Sequence, residues 1–192
     1  MKYPTVTQIL SATQPKEKIE GLNKWRQRVG EEEAEKVSQA AHERGIRLDA
    51  AISRAFKFAE TDDNRVKCLI RKYKLVNEEI EVQSDKHKYR GRADGILTYR
   101  DNARSSFILV DYKGKSKPVN EKWIDEDYLC QIAAYFYAMH ETSVTKPAYA
   151  VLMYFVDGLE YPQEFIITEI ELSRHFSKFL KRLEQYEKGN QD

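Results

Sequence analysis

An α/β fold, with a mixed central sheet flanked by helices and a helical extension at the N-terminus, is predicted by three features of this 192-residue sequence. Almost no strand signal precedes residue 75. Period-two segments then come as a group of three and a later group of two. A helical segment follows each group, and the last is strongly amphipathic.

In order, the segment near Ile19 to Val29 is helix-compatible, and "EEEAEKVSQAAHERG" continues as a good helix former until Gly45 offers a stop. A further helix runs from about Leu48 to Ala59, with Ile52, Phe56 and Ala59 at helical spacing. Arg65 to Lys74 places Val66, Leu69 and Ile70 on one side of a short helix. The period then changes. "NEEIEVQS" alternates Ile80 and Val82 with polar neighbours, "KYRGRADGILTYR" is a strand carrying two glycines, and "SSFILVDYK" is apolar enough for an interior strand. "RDNARS" is the turn that makes the three an antiparallel meander. After the basic loop "GKSKPVNEKW" comes a helix from about Glu126 to Met139, then strands "PAYAVLMYFV" and "EFIITEI". The final helix aligns Leu172, Phe176, Phe179, Leu180, Leu183 and Tyr186 on one stripe. The division is residues 1–75, helical, and residues 76–192, the sheet-bearing core.

Hydrophobic residues make up 41% and charged residues 33% of the chain, so it has the composition of an ordinary soluble domain. The formal net charge is +1, so affinity for an anionic polymer has to come from local basic clusters. Cys68 and Cys130 lack C-x-x-C spacing, which disfavours a disulfide scaffold, a cysteine zinc site and an iron–sulfur cluster. No stretch approaches the roughly 18 apolar residues of a membrane span, and "MKYPTVTQIL" has neither the apolar region of a signal peptide nor the pattern of an organelle presequence. An intracellular location, with no membrane partner, is the expectation.

"FILVDYKGK", residues 107 to 115, carries the chemistry. Asp111 and Lys113 are two apart on a strand and share a face, while Tyr112 points to the other. An ion pair where the strand leaves the core explains the spacing equally well. Asp94, in "GRADGI" on the preceding strand, adds a second carboxylate that a short turn would bring beside Asp111. Two carboxylates forced together repel unless something positive sits between them, and a divalent cation does that more fully than Lys113 alone. The set suits phosphodiester hydrolysis: a cation polarises the phosphoryl oxygen and acidifies a water that Lys113 holds. Gly91 and Gly95 around Asp94 read as a bulge or as a place of close approach. On the later helix Gln131 and Tyr135 are i and i+4 on one face, with Asp127 and Tyr128 a turn earlier; Tyr135, Phe136 and Met139 read more commonly as a core stripe, which a buried Gln131 amide fits poorly. Lys113, Lys115, Lys117 and Lys122 form either a solvated run or a phosphate-contacting edge.

"GRAD", then "ILVDYK", then "QIAAY" resembles the G-x-x-D, D-x-K and Q-x-x-x-Y signature of the RecB-like branch of the PD-(D/E)XK nucleases. "PTVTQIL", Trp25 with Arg28, and "RLEQYEK" are similar to the mitochondrial genome maintenance exonuclease group and its phage and bacterial relatives. The likeness covers roughly Tyr3 to Lys188, and the absence of a presequence favours a phage or bacterial relative in its host's cytoplasm. The resemblance implies a restriction-endonuclease-like core under a helical wall or arch. It implies Asp94 and Asp111 as ligands of Mg2+ or Mn2+, the Tyr112 carbonyl as an additional ligand, Lys113 as the residue that orients or activates water, and Gln131 with Tyr135 as groups securing the site and the DNA backbone. Glu79 falls where relatives carry a glutamate near the site. Where many relatives have a histidine four residues after a helical glycine, this chain has Asp49 after Gly45, and a cation ligand or a helix-cap or surface role are equal alternatives. His42 reads as a surface residue.

The implied activity is metal-dependent exonucleolytic hydrolysis of single-stranded DNA, or of single-stranded ends and flaps, in replication, recombination or repair, with no small-molecule cofactor. Trp25, Arg26, Arg28, Tyr73 and Trp123 are candidate stacking and phosphate contacts. A structure-selective endonuclease with the same residues, and a nucleic-acid-binding module with a vestigial site, are the alternatives.

Overall fold

A computed structural model describes residues 3–101 and 106–189. The chain begins with α1 (Val6–Ala12), α2 (Lys16–Val29), α3 (Glu31–Phe58) and α4 (Asn64–Lys72). The meander β1 (Tyr73–Ser84), β2 (Tyr89–Tyr99) and β3 (Ile108–Lys115) follows, then a 3-10 turn at Glu121–Trp123 and α5 (Glu126–Thr142). The chain closes with β4 (Tyr149–Val156), β5 (Gln163–Ile167) and α6 (Glu169–Gly189). The five strands lie in sequence order, with only the β3–β4 pair parallel, because α5 carries the chain back between them. The mixed sheet and the meander are as predicted, although residues 102–105 of the expected "RDNARS" turn lie outside the described residues.

Both faces of the sheet are covered, and β4 shows it residue by residue. Ala150, Leu152, Tyr154 and Val156 meet α1, α5 and α6, while Val151, Met153 and Phe155 meet α3 and α4. Each fully buried Leu, Ile or Phe contributes about 1.5–3 kcal/mol, so both layers matter to stability. Residues 1–75 do not stay together: Val6, Ile9 and Leu10 join one core, and Leu48, Ile52, Ala55, Val66 and Leu69 the other. β1 begins at Tyr73, so the division between 75 and 76 falls inside a strand.

Two expectations, the stop at Gly45 and a stacking Tyr73, are corrected, and α1 adds to the predicted elements. α1, which the hydrophobic period does not mark, is started by a capping box: Gln8 N donates to Thr5 Oγ1 and Thr5 N donates to Gln8 Oε1. The expected stop at Gly45 is absent, and the break comes at Gly30, whose φ of +88° suits glycine. The acidic Glu31, Glu32 and Glu33 then open α3 in favour of its dipole. α3 continues through Gly45 because Leu48, Ile52 and Ala55 bury its far half against the sheet, which outweighs the roughly 1 kcal/mol a helical glycine costs. Tyr73 is 1% exposed and its hydroxyl donates to Glu164, so it is a core residue and offers no stacking surface. No helix among the described residues is long and apolar enough to cross a membrane.

Candidate active site

The β2–β3 ladder is short. It pairs Gly95 with Val110, Ile96 with Leu109 and Leu97 with Ile108, and goes no further, whereas β3 pairs with β4 through Lys115. The edge of β3 from Asp111 onward is therefore open on the β2 side. Asp94 bridges the parting: its Oδ2 accepts from Tyr112 N at 2.7 Å, where a ladder carbonyl would otherwise be. The backbone opposite is irregular too, since Glu79 has φ +49° between the pairs Glu78–Gly95 and Ile80–Ala93. A residue's N–H and C=O point to the same side of a strand, so the Tyr112 carbonyl also faces this open edge.

Ile108, Leu109 and Val110 anchor β3 at 0–1% exposure, and Asp111 follows at 2%. Lys113 Nζ lies 2.6 Å from Asp111 Oδ2. The contact lacks hydrogen-bond angles, which leaves this buried oxygen without a hydrogen-bond partner among the described residues. Burial first, and then the charge of Asp111, push the Asp94 carboxyl up to about 7. Burial would lower the Lys113 ammonium, but the Asp111 and Asp94 carboxylates outweigh it and hold the pKa above its usual value. The sequence-based pairing of Asp94, Asp111 and Lys113 is what the fold assembles.

α3 and α5 complete the surroundings. Asp49 stands in the middle of α3, so the helix-cap role falls away with the stop at Gly45. Its carboxyl is raised by burial, opposed by Lys113 and reinforced by Asp111 and Glu79, which places it electrostatically beside the site. With Glu79, Asp94 and Tyr112 it lines a cavity of about 320 Å³, and Arg92 Nη1 is 3.7 Å from Glu79 Oε1. A second cavity of about 690 Å³ shares Asp49 and Tyr112 with the first and is lined by Ala40, Ala41, Gly45 and Lys113. Small residues on α3 thus leave a groove along the open edge of β3. His42, on that groove's rim, is exposed as expected.

Gln131 Nε2 donates to Tyr135 OH at 3.0 Å. Tyr135 is 3% exposed, and a Cβ on Gly91 would stand 2.3 Å from its ring, so the first glycine of "GRADG" exists to admit Tyr135. The Tyr135 ring is thus packed away from solvent, and its hydroxyl accepts from Gln131. Tyr128, one turn earlier, has Lys113 Nζ 4.7 Å and Lys115 Nζ 5.2 Å from its ring centre. Its place a turn before Gln131 was readable, but its hold on two lysines was not. Tyr154, the β4 partner of Lys113, has a buried hydroxyl with no hydrogen-bond partner among the described residues, and no sequence signal marked it.

The remaining expected contacts lie outside this cluster. Trp25, Arg26 and Arg28 are on α2, which packs on α3, and none of them lines the two cavities that contain Asp49 and Tyr112. Lys117 is exposed beyond β3, and Trp123 is 82% exposed on the 3-10 turn.

Among the described residues no three His, Cys, Asp or Glu side chains gather to hold an ion. The available donors are Asp94, Asp111, whose Oδ2 meets only the Lys113 ammonium among the described residues, and the Tyr112 carbonyl, with Asp49 nearby. An all-oxygen set with paired carboxylates fits a hard divalent cation such as Mg2+ or Mn2+.

A model of the PD-(D/E)XK nuclease superfamily matches residues 5–190. The human protein named mitochondrial genome maintenance exonuclease 1 is 25% identical over 211 aligned residues, covering 98% of this chain, and the chain spans 60% of that protein's length. Among solved structures, the crystal structure of SSO0001 aligns over 84% of this chain and 70% of its own, at 15% identity and a TM-score of 0.40. That superposition is too loose to bear on the site.

Proposed function

This chain belongs to the PD-(D/E)XK nuclease superfamily, and from that premise we propose that it is a divalent-metal-dependent DNA exonuclease acting on single-stranded DNA or on single-stranded ends and flaps, in replication, recombination or repair. The observation that carries the reading is the convergence of Asp94, Asp111 and Lys113 at the open edge of β3, where two carboxylates share one ammonium. The exonuclease mode draws on the printed name of the human relative.

Asp94, Asp111 and the Tyr112 carbonyl are the groups that would hold Mg2+ or Mn2+, with Asp49 and Glu79 in support. A cation there supplies Lewis acidity toward a phosphoryl oxygen and lowers the pKa of a water. Lys113, kept protonated by its two carboxylate neighbours, orients the attacking water and offsets phosphate charge, and in that state it cannot serve as a base. Gln131, braced by Tyr135, is a hydrogen-bonding group at the same edge. Lys115 and Lys117, and more remotely Trp25, Arg28 and Trp123, are the proposed strand contacts. Residues 1–75 contribute the groove wall through α3, under which a strand passes.

The test is nucleotide release from end-labelled linear single strands in Mg2+ or Mn2+, with a circular single strand as control. Wild type is expected to digest the linear strand, spare the circle and lose activity as Lys113→Ala. Equal behaviour of wild type and Lys113→Ala in every metal would overturn the assignment. Cleavage of the circle would make it an endonuclease.

A further inference from the structure

Beyond Lys113 the chain carries an arrangement that the catalytic cluster does not use. Gly114 follows the lysine, and a Cβ there would stand 3.0 Å from Arg44 Cγ and 3.1 Å from Cδ. The glycine lets the Arg44 stem lie across the end of β3. Arg44 Nε donates to Asp157 Oδ2 at 3.0 Å, just past β4. Arg65, at the start of α4, donates through Nε to Asp63 Oδ1 and through Nη2 to Asp63 Oδ2. Its Nη1 is buried without a hydrogen-bond partner among the described residues, 3.6 Å from Asp157 Oδ1. Arg47, nearly a turn after Arg44, makes no hydrogen bond or ion pair among the described residues. These side chains line a cavity of about 330 Å³ that shares Arg44, Leu48 and Gly114 with the groove at Lys113.

We propose that Arg44, Arg47 and Arg65 form a phosphate cradle that grips the nucleic-acid backbone at the linkage next to the one cleaved. This rests on the nuclease reading above. A closed ion-pair network would satisfy its own donors, and this one does not: three guanidiniums face two carboxylates, Arg65 Nη1 meets Asp157 only as a 3.6 Å ion pair without a hydrogen bond, and Arg47 has no partner among the described residues. Asp63 and Asp157 act as buttresses that fix two guanidinium planes and leave their remaining N–H groups for a ligand. The ligand that matches forked donors is a phosphate, and continuity with the Lys113 groove makes it a phosphate of the bound strand. The cradle positions the strand and takes no part in bond breaking.

The test uses single-stranded oligonucleotides carrying one neutral methylphosphonate linkage at successive positions, against wild type, Arg44→Met/Arg47→Met and the exposed single variant Arg47→Met, all checked by circular dichroism. Cleavage is read in single turnover and binding by fluorescence anisotropy. In wild type a neutral linkage next to the scissile bond is expected to cost about tenfold, more than one further along. The double variant is expected to bind the unmodified strand about tenfold more weakly, to lose nothing further from that neutral linkage, and to show a salt slope lower by about one per lost contact. Arg47→Met shows part of each effect. An equal penalty from the neutral linkage in variant and wild type overturns the cradle, as does full binding by the double variant. A wild type that cleaves nothing sinks the nuclease reading, and the anisotropy pattern then still decides the cradle.

Discussion

Lys113 Nζ is held 2.6 Å from Asp111 Oδ2 and 4.7 Å from the centre of the Tyr128 ring, so one ammonium sits between a buried carboxylate and an aromatic face. Removing the cation alone strands the Asp111 charge in the core. Lys113→Met is expected to lower stability in chelator by about 3 kcal/mol, and Lys113→Met/Asp111→Asn to regain most of it. Urea denaturation of both checks this; a single variant as stable as wild type would show that the ammonium does not neutralise Asp111.

The Tyr128 ring gives a sharper prediction on activity. Tyr128→Phe keeps the aromatic face and should retain cleavage, whereas Tyr128→Leu should lower kcat by about fivefold to thirtyfold, the size of a partly desolvated cation–π contact, with KM nearly unchanged. A rise in KM alone would instead make Tyr128 a strand contact.

Asp94 couples stability to pH. Its folded pKa, about 7, lies above the ordinary carboxylate value of 3.8. The folded state therefore binds the extra proton between those values, and stability falls as pH rises through that window. In chelator, Asp94→Asn should be more stable than wild type at pH 8, with the advantage gone near pH 4. Thermal melts across that range test the sign.

Gly91 and Gly45 make opposite predictions about adding a methyl group. Gly91→Ala drives a Cβ into Tyr135 and should cost about 1–3 kcal/mol, relieved in part by Tyr135→Leu. At Gly45 nothing lies within 4 Å of the added carbon, so Gly45→Ala should stabilise α3 by about 0.5–1 kcal/mol. Paired denaturant midpoints decide both.

The contrast shows what the sequence could convey. Period and motif order carried the sheet, the order of its elements and the meeting of Asp94, Asp111 and Lys113, because strand alternation and short connections fix those relations locally. Gly45 misled because a propensity penalty near 1 kcal/mol is smaller than the burial of Leu48 and Ile52 beyond it. Tyr73, a candidate contact by residue type, proved buried, since exposure depends on which distant element covers a side chain, whereas the burial of Tyr135 agrees with the core stripe its spacing allowed. Arg44 and Arg65 escaped notice for the same reason: α3, α4 and the end of β4 meet only in three dimensions, and Gly114 was their one linear trace.

The placement of α1 bears on how the protein is made. Its apolar side lies against α5 and α6, and Arg182 of α6 reaches back to Leu10 O and donates to Thr13 Oγ1 at 2.7 Å, across 172 and 169 residues. At ribosomal speeds of about 5–20 residues per second, roughly 10 to 30 seconds separate synthesis of the two partners. Until α6 is made, the cover of Val6, Ile9 and Leu10 is limited to β2 and α5, and the Thr5–Gln8 capping box is the local device that starts their helix. The cover of α1 is thus completed only by the last helix, so the first-made and last-made helices close the same core.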